Sequence, residues 1–142
     1  AQRGEIQEKV LTLDIALKLK KELEQKGAKV VMTRSDDSFV SLEERTRITN
    51  SVNADAFVSV HINSLETDRD ISGIETYYQT QQSRLLAAEV HKALVEKLAV
   101  PDRSVRKARF YVVNHTDRPA ILAEVGFISN KDERDKLISS EY

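Results

Sequence analysis

The stretch Ala56 to Asn63, AFVSVHIN, constrains this chain more than any other. Phe57, Val58 and Val60 make an apolar, β-branched run too short for a helix, which reads as a buried strand of a largely parallel sheet. The run closes on His61 and Asn63, polar groups at the carboxyl end of a strand. In open α/β sheets that edge is where ligands and chemistry sit. A second run behaves alike: Ala120, Ile121, Leu122 and Ala123 lead into Glu124, followed by Val125, Gly126 and Phe127. A His and a Glu on two buried strands are the strongest functional lead in the chain.

The remaining pattern alternates helices with strands. A helix is expected from about Ile6 to Gln25, with Val10, Leu13, Ala16, Leu17, Leu19 and Leu23 on its apolar face and Gly27 as its C-cap. Lys29 to Thr33 reads as a short strand. Ser41 caps a helix running to about Val52, with Glu44 placed for a capping box. Gly73 to Gln79 reads as a strand and Ser83 to Leu98 as an amphipathic helix. Pro101 to Lys107 reads as a loop, Phe110 to Val113 as a strand, and Asn130 or Lys131 opens a last helix. This order predicts one α/β domain: a mostly parallel twisted sheet flanked by helices. Because the chain opens on a helix, a first strand is expected upstream of residue 1.

Composition narrows the chemistry. With 22 basic and 23 acidic residues the net charge is −1, so nothing argues for nucleic acid or an anionic membrane surface. No stretch has the length of a membrane-spanning helix. The chain has no cysteine, which leaves His, Asp and Glu as metal ligands. There is no nucleophile elbow, Gly-rich phosphate loop or thiol nucleophile.

Each candidate residue also has a structural explanation. His61 suits a metal ligand, a general base or a satisfied buried histidine. Asn63 suits a partner to such a site, or the residue that turns the chain. Glu124 is either kept for chemistry or paired with a cation such as Arg34 or Arg45. Glu8, in the first turn of the opening helix, is explained by the helix dipole alone. Glu75 reads as an exposed or paired strand residue, His91 as solvated on a charged helix, and His115 as part of a turn.

The motifs carry more than the single residues do. Gln7-Glu8-Lys9, Thr33-Arg34 with Asp36-Asp37, Leu42-Glu43-Glu44-Arg45, Asn50, Ala54-Asp55 and Ser59-Val60-His61-Ile62-Asn63 occur in order. Gly73-Ile74-Glu75-Thr76-Tyr77-Tyr78 and the block from Pro119 through Glu124 to Asn130 follow. The whole chain resembles the catalytic domain of zinc-dependent N-acetylmuramoyl-L-alanine amidases of the amidase-3 type, bacterial cell-wall hydrolases. The resemblance implies a Zn²⁺ ion held by two His and one Glu. It maps Glu8 and His61 to ligands and Glu124 to the catalytic glutamate. It leaves Asn63 and Glu75 as supporting or substrate-binding groups.

The implied reaction is hydrolysis of the amide between N-acetylmuramic acid and L-alanine in peptidoglycan, as in autolysis or cell division. The implied setting is periplasmic or extracellular, with peptidoglycan as partner, no nucleic acid, no membrane insertion and a monomeric catalytic domain. The family's first His ligand lies in a DxGHGG stretch that would precede Ala1. Residues 1–142 are therefore expected to be one catalytic domain trimmed at both ends, with the third ligand upstream. Only Ser64 to Ser72 separate the His61 strand from GIETYY, so no blocking helix is inserted and an open site is expected. A non-catalytic peptidoglycan-binding module derived from such an amidase is the alternative, and a zinc peptidase acting within stem peptides is a third reading.

Overall fold

Four strands form the central sheet of the computed structural model, which describes residues 1–142. Two two-residue strands, β1 (Gln2–Arg3) and β2 (Ile6–Gln7), first make a small antiparallel ladder. Then follow α1 (Glu8–Gln25), α2 (Leu42–Ser51), β3 (Phe57–Asn63), β4 (Ile74–Tyr78) and α3 (Gln81–Leu98). The chain continues with β5 (Asp102–Lys107), α4 (Tyr111–Asn114), β6 (Ala120–Phe127) and α5 (Lys131–Ile138). The sheet order is β3-β6-β4-β5. β3 runs parallel to β6 and β4 parallel to β5, but β4 and β6 are antiparallel. The α/β expectation holds, with a mixed sheet in place of a mostly parallel one.

Alternation along β6 divides the core. Ile62, Ile74, Ala123, Val125, Ile128 and Leu137 form one cluster, against which Leu11, Ile15, Leu94, Val95 and Leu98 pack. Phe57, Val112, Val113, Ala120 and Leu122 form the other, with Tyr77 at its margin. Successive strand residues face opposite sides, so Glu124 shares the face of Ala120 and Leu122.

Local signals placed several ends correctly. Ser41 Oγ accepts the Glu44 N–H at 3.1 Å, and Asn130 Oδ1 accepts the Glu133 N–H at 3.0 Å, each capping its helix. After α1, Ala28 N–H reaches Leu23 O at 3.0 Å, a closure that Gly27 permits by taking φ +92°.

Four expectations fail. Lys29 to Thr33 forms no strand: no ladder partner lies beside it, and Val31 is half exposed. Pro101 to Lys107 is largely β5, because pairing with β4 overrides a charged sequence that suits an edge strand. Phe110 to Val113 is not a strand; the single turn of α4 drives Val112 and Val113 beneath Leu122. On α1 the inward residues are Leu11, Thr12 and Ile15, while Val10, Leu17, Leu19 and Leu23 are exposed.

Candidate active site

The register of the sheet assembles the site. His61 on β3 is the parallel partner of Glu124 on β6, and Glu124 is the antiparallel partner of Glu75 on β4. Three strands thus set His61, Glu124 and Glu75 in one row. β4 runs the opposite way to β6, so Glu75, near the start of its strand, reaches the same edge as residues near the ends of theirs.

Glu8 joins the row from the side. β2 leads directly into α1, whose first residue is Glu8. Its Oε1 accepts the Ile62 N–H at 3.1 Å, satisfying a backbone donor on the outer edge of β3. The same oxygen lies 3.3 Å from His61 Nδ1. Burial by itself would raise the Glu8 pKa; hydrogen bonds from His61 and the Ile62 N–H oppose it and hold the carboxyl below its ordinary value. Glu8 is therefore an anion, as a cation ligand must be.

Glu124 is the opposite case. Burial pushes its carboxyl up to about 7; the His61 charge opposes this and the Glu8 and Glu75 charges add to it. Its Oε2 is buried without a hydrogen-bond partner. Neither Arg34 nor Arg45 pairs with it: Arg34 donates to the Lys9 and Asp36 carbonyls, and Arg45 to that of Val40. The salt-bridge explanation for Glu124 fails.

Glu75 is buried at 4% exposure and fully engaged. Arg103 Nε donates to its Oε1 at 2.8 Å, while the Tyr77 hydroxyl and, at 3.4 Å, Asn63 Nδ2 donate to Oε2. Burial would raise its pKa, yet Tyr77 and Arg103 bring it below the ordinary carboxylate value. Burial and the Glu75 charge push the Tyr77 phenol up to about 12, so it remains a donor. Sequence reading missed Tyr77 and Arg103. Tyr77 was findable, since it lies two residues past Glu75 and so on the same strand face. Arg103 was not, because its segment was read as a loop.

The other histidines lie elsewhere. His115 stacks on Tyr111 after α4 with ring centroids 4.0 Å apart. His91 corrects the expectation of a solvated side chain. It is buried, with Nδ1 2.9 Å from Thr76 Oγ1 and Nε2 2.6 Å from Asp102 Oδ1.

A carboxylate and an imidazole 3.3 Å apart are donors that zinc accepts. They supply two corners of a site that takes three protein ligands in catalytic zinc centres. No group of three His, Cys, Asp or Glu in these residues is arranged to hold a metal. The donor types fit zinc and their number falls one short.

Comparison with known proteins identifies the family. The family model Amidase_3, described as N-acetylmuramoyl-L-alanine amidase, matches residues 1–142. The uncharacterized protein YqiI of Bacillus subtilis is 41% identical over 139 residues, covering 95% of this chain and 66% of that protein. The N-acetylmuramoyl-L-alanine amidase LytC of the same species is 37% identical over 139 residues, covering 95% of this chain and 28% of LytC. The chain thus spans less than two thirds of the length of these relatives. The catalytic domain of CwlV, an N-acetylmuramoyl-L-alanine amidase from Bacillus (Paenibacillus) polymyxa var. colistinus, superposes with a TM-score of 0.93. That match has 37% identity and covers 96% of this chain and 76% of CwlV's. With a family match along its full length and relatives of this identity, the chain belongs to the N-acetylmuramoyl-L-alanine amidase family, Amidase_3.

Proposed function

We propose that this chain is the catalytic domain of a zinc-dependent hydrolase. Its substrate is the amide joining the lactyl group of N-acetylmuramic acid to L-alanine of the stem peptide in peptidoglycan. The observation that carries the reading is the row of His61 and Glu124 on adjacent strands, with Glu8 closing on His61 from the helix start. Glu8 and His61 would hold the zinc, and a histidine expected before Ala1 would complete the site. When bound, zinc polarises a scissile carbonyl and acidifies a water.

The chain's own residues supply the proton handling. Glu124 takes a proton from the attacking water at its unpartnered Oε2 and returns it to the departing L-alanine nitrogen. A carboxyl with a pKa of about 7 suits both steps near neutral pH. Glu75, held ionised by Arg103 and Tyr77, lines the far side of Glu124. The domain acts as a monomer at the cell envelope, in the periplasm or outside the cell. No helix is long and apolar enough to cross a membrane.

Only the ten residues Ser64 to Gly73 join β3 to β4, too short for a masking helix of several turns with its connections. The test uses purified sacculi and the zinc-loaded full-length protein without any activator. Mass spectrometry should find stem peptides released with a free L-alanine amine and glycan retaining its lactyl carboxyl. Cleavage within the stem peptide would favour a peptidase, and binding without cleavage a binding module. Cleavage only on adding a partner protein would refute the open site.

A further inference from the structure

Glu124 stands in the middle of its row with Oε2 buried and unbonded, so its place is set by its neighbours. On one side is His61 and on the other Glu75. Two carboxyl groups on adjacent strands tend to share a proton or repel. Here all of Glu75's bonds go elsewhere: Oε1 to Arg103, Oε2 to Tyr77 and Asn63. Asn63 belongs to β3 and Glu75 to β4, and β6 lies between those strands. Strands one place apart are ~4.8 Å away, so β3 and β4 are about 10 Å apart, and the two side chains close that gap over β6. Asn63 pairs in register with Phe127 and Glu75 with Glu124, so the bridge crosses β6 at and just beyond Glu124. Arg103 anchors its outer end from β5, with its guanidinium 5.3 Å from the centre of the Phe127 ring.

We propose that the Asn63–Glu75–Arg103 bridge is a positioning device. Its residues come from β3, β4 and β5, so it spans all four strands of the sheet, bars Glu124 from swinging toward β4, and keeps its free oxygen on the His61 side. Glu75 is then a positioning residue and Tyr77 its second tether. The inference rests on the amidase reading, in which Glu124 handles the proton.

Two measurements on the full-length protein test it. The first is independent of turnover. In the metal-free protein, thermal midpoints of Asn63→Ala, Glu75→Gln and the double variant should be non-additive, because both substitutions break one contact. Strict additivity would overturn the bridge. The second uses the zinc-loaded protein. Glu75→Gln should lower kcat about tenfold with KM within about twofold and zinc content unchanged, the signature of a misplaced group rather than lost binding. Should Glu75→Gln fail to fold, Tyr77→Phe, which keeps Glu75 and Arg103, should lower kcat several-fold with KM unchanged. A change confined to KM, or a kcat loss matched by zinc loss, would overturn the proposal. A parent protein without activity on sacculi sinks the amidase reading itself. A parent that cleaves sacculi and is indifferent to both variants sinks this inference alone.

Discussion

Glu124 and Glu8 are both part-buried carboxyls, yet they titrate in opposite directions because only one has donors. Glu8 is reached by Ile62 N–H and His61 and stays ionised, whereas Glu124 Oε2 has nothing. Glu124→Gln should keep fold and zinc and lose at least ~10²-fold in rate, the usual contribution of a proton-transfer group. Near-parental turnover would remove Glu124 from the chemistry. The same substitution has a consequence for stability. A carboxyl at 4.5 in the unfolded chain and about 7 in the fold binds its proton more tightly when folded. The fold therefore loses nothing below pH 4.5, loses stability as pH rises toward 7, and is lower by at most about 3 kcal/mol above that. Metal-free Glu124→Gln should accordingly gain thermal midpoint over the parent at pH 8 and lose that advantage at pH 4.5. An equal difference at both would show that the carboxyl is not strained by burial.

Helix α3 is fastened to the sheet by more than its apolar stripe. His91 lies between Thr76 on β4 and Asp102 on β5, so one side chain ties a helix to two strands. Thr76 is fully buried, and without His91 its hydroxyl loses this partner beside a new cavity. His91→Ala should cost ~2–4 kcal/mol in denaturant unfolding, from the void and the lost hydrogen bonds together. A change below ~0.5 kcal/mol, the range of ordinary surface substitutions, would show the network to be incidental. The edge strand β5 depends on the same tie, since its charged sequence has little strand preference of its own.

Across the molecule, the site exists because a small ladder, a helix start and three strands meet at one sheet edge. Glu8 is carried there by β2, which turns the chain into α1 beside β3. His61→Ala and Glu8→Ala should therefore each reduce zinc retained after dialysis of the full-length protein, measured by elemental analysis. Zinc should also raise the parent's thermal midpoint with concentration, and less so in either variant. Unchanged stoichiometry in both would place any metal elsewhere.

The strand at AILAEVGF could be read because a central strand is covered on both faces and shows itself as a continuous apolar run, whereas β3, read as buried from AFVSVHIN, is an edge strand with Val58 exposed. Helix starts at Ser41 and Asn130 were equally readable, since a cap is a bond to a backbone group three residues on. His61, Asn63 and Glu124 were named from their places on two apolar runs, whereas Glu8 as a ligand and Glu75 as a supporting group came only with motif order. Spacing along the chain could not put them together, because their proximity depends on the strand order β3-β6-β4 and the reversed direction of β4. Strand formation at Asp102–Lys107 and its absence at Lys29 to Thr33 have the same origin. A strand is stabilised by the neighbour that completes its ladder, and that neighbour is distant in sequence. His91 was misjudged for a related reason: a polar residue on a helix looks solvated until the sheet beneath it supplies a threonine and an aspartate. Local bonding is written in adjacent residues, whereas partners across a sheet are chosen only when the chain closes on itself.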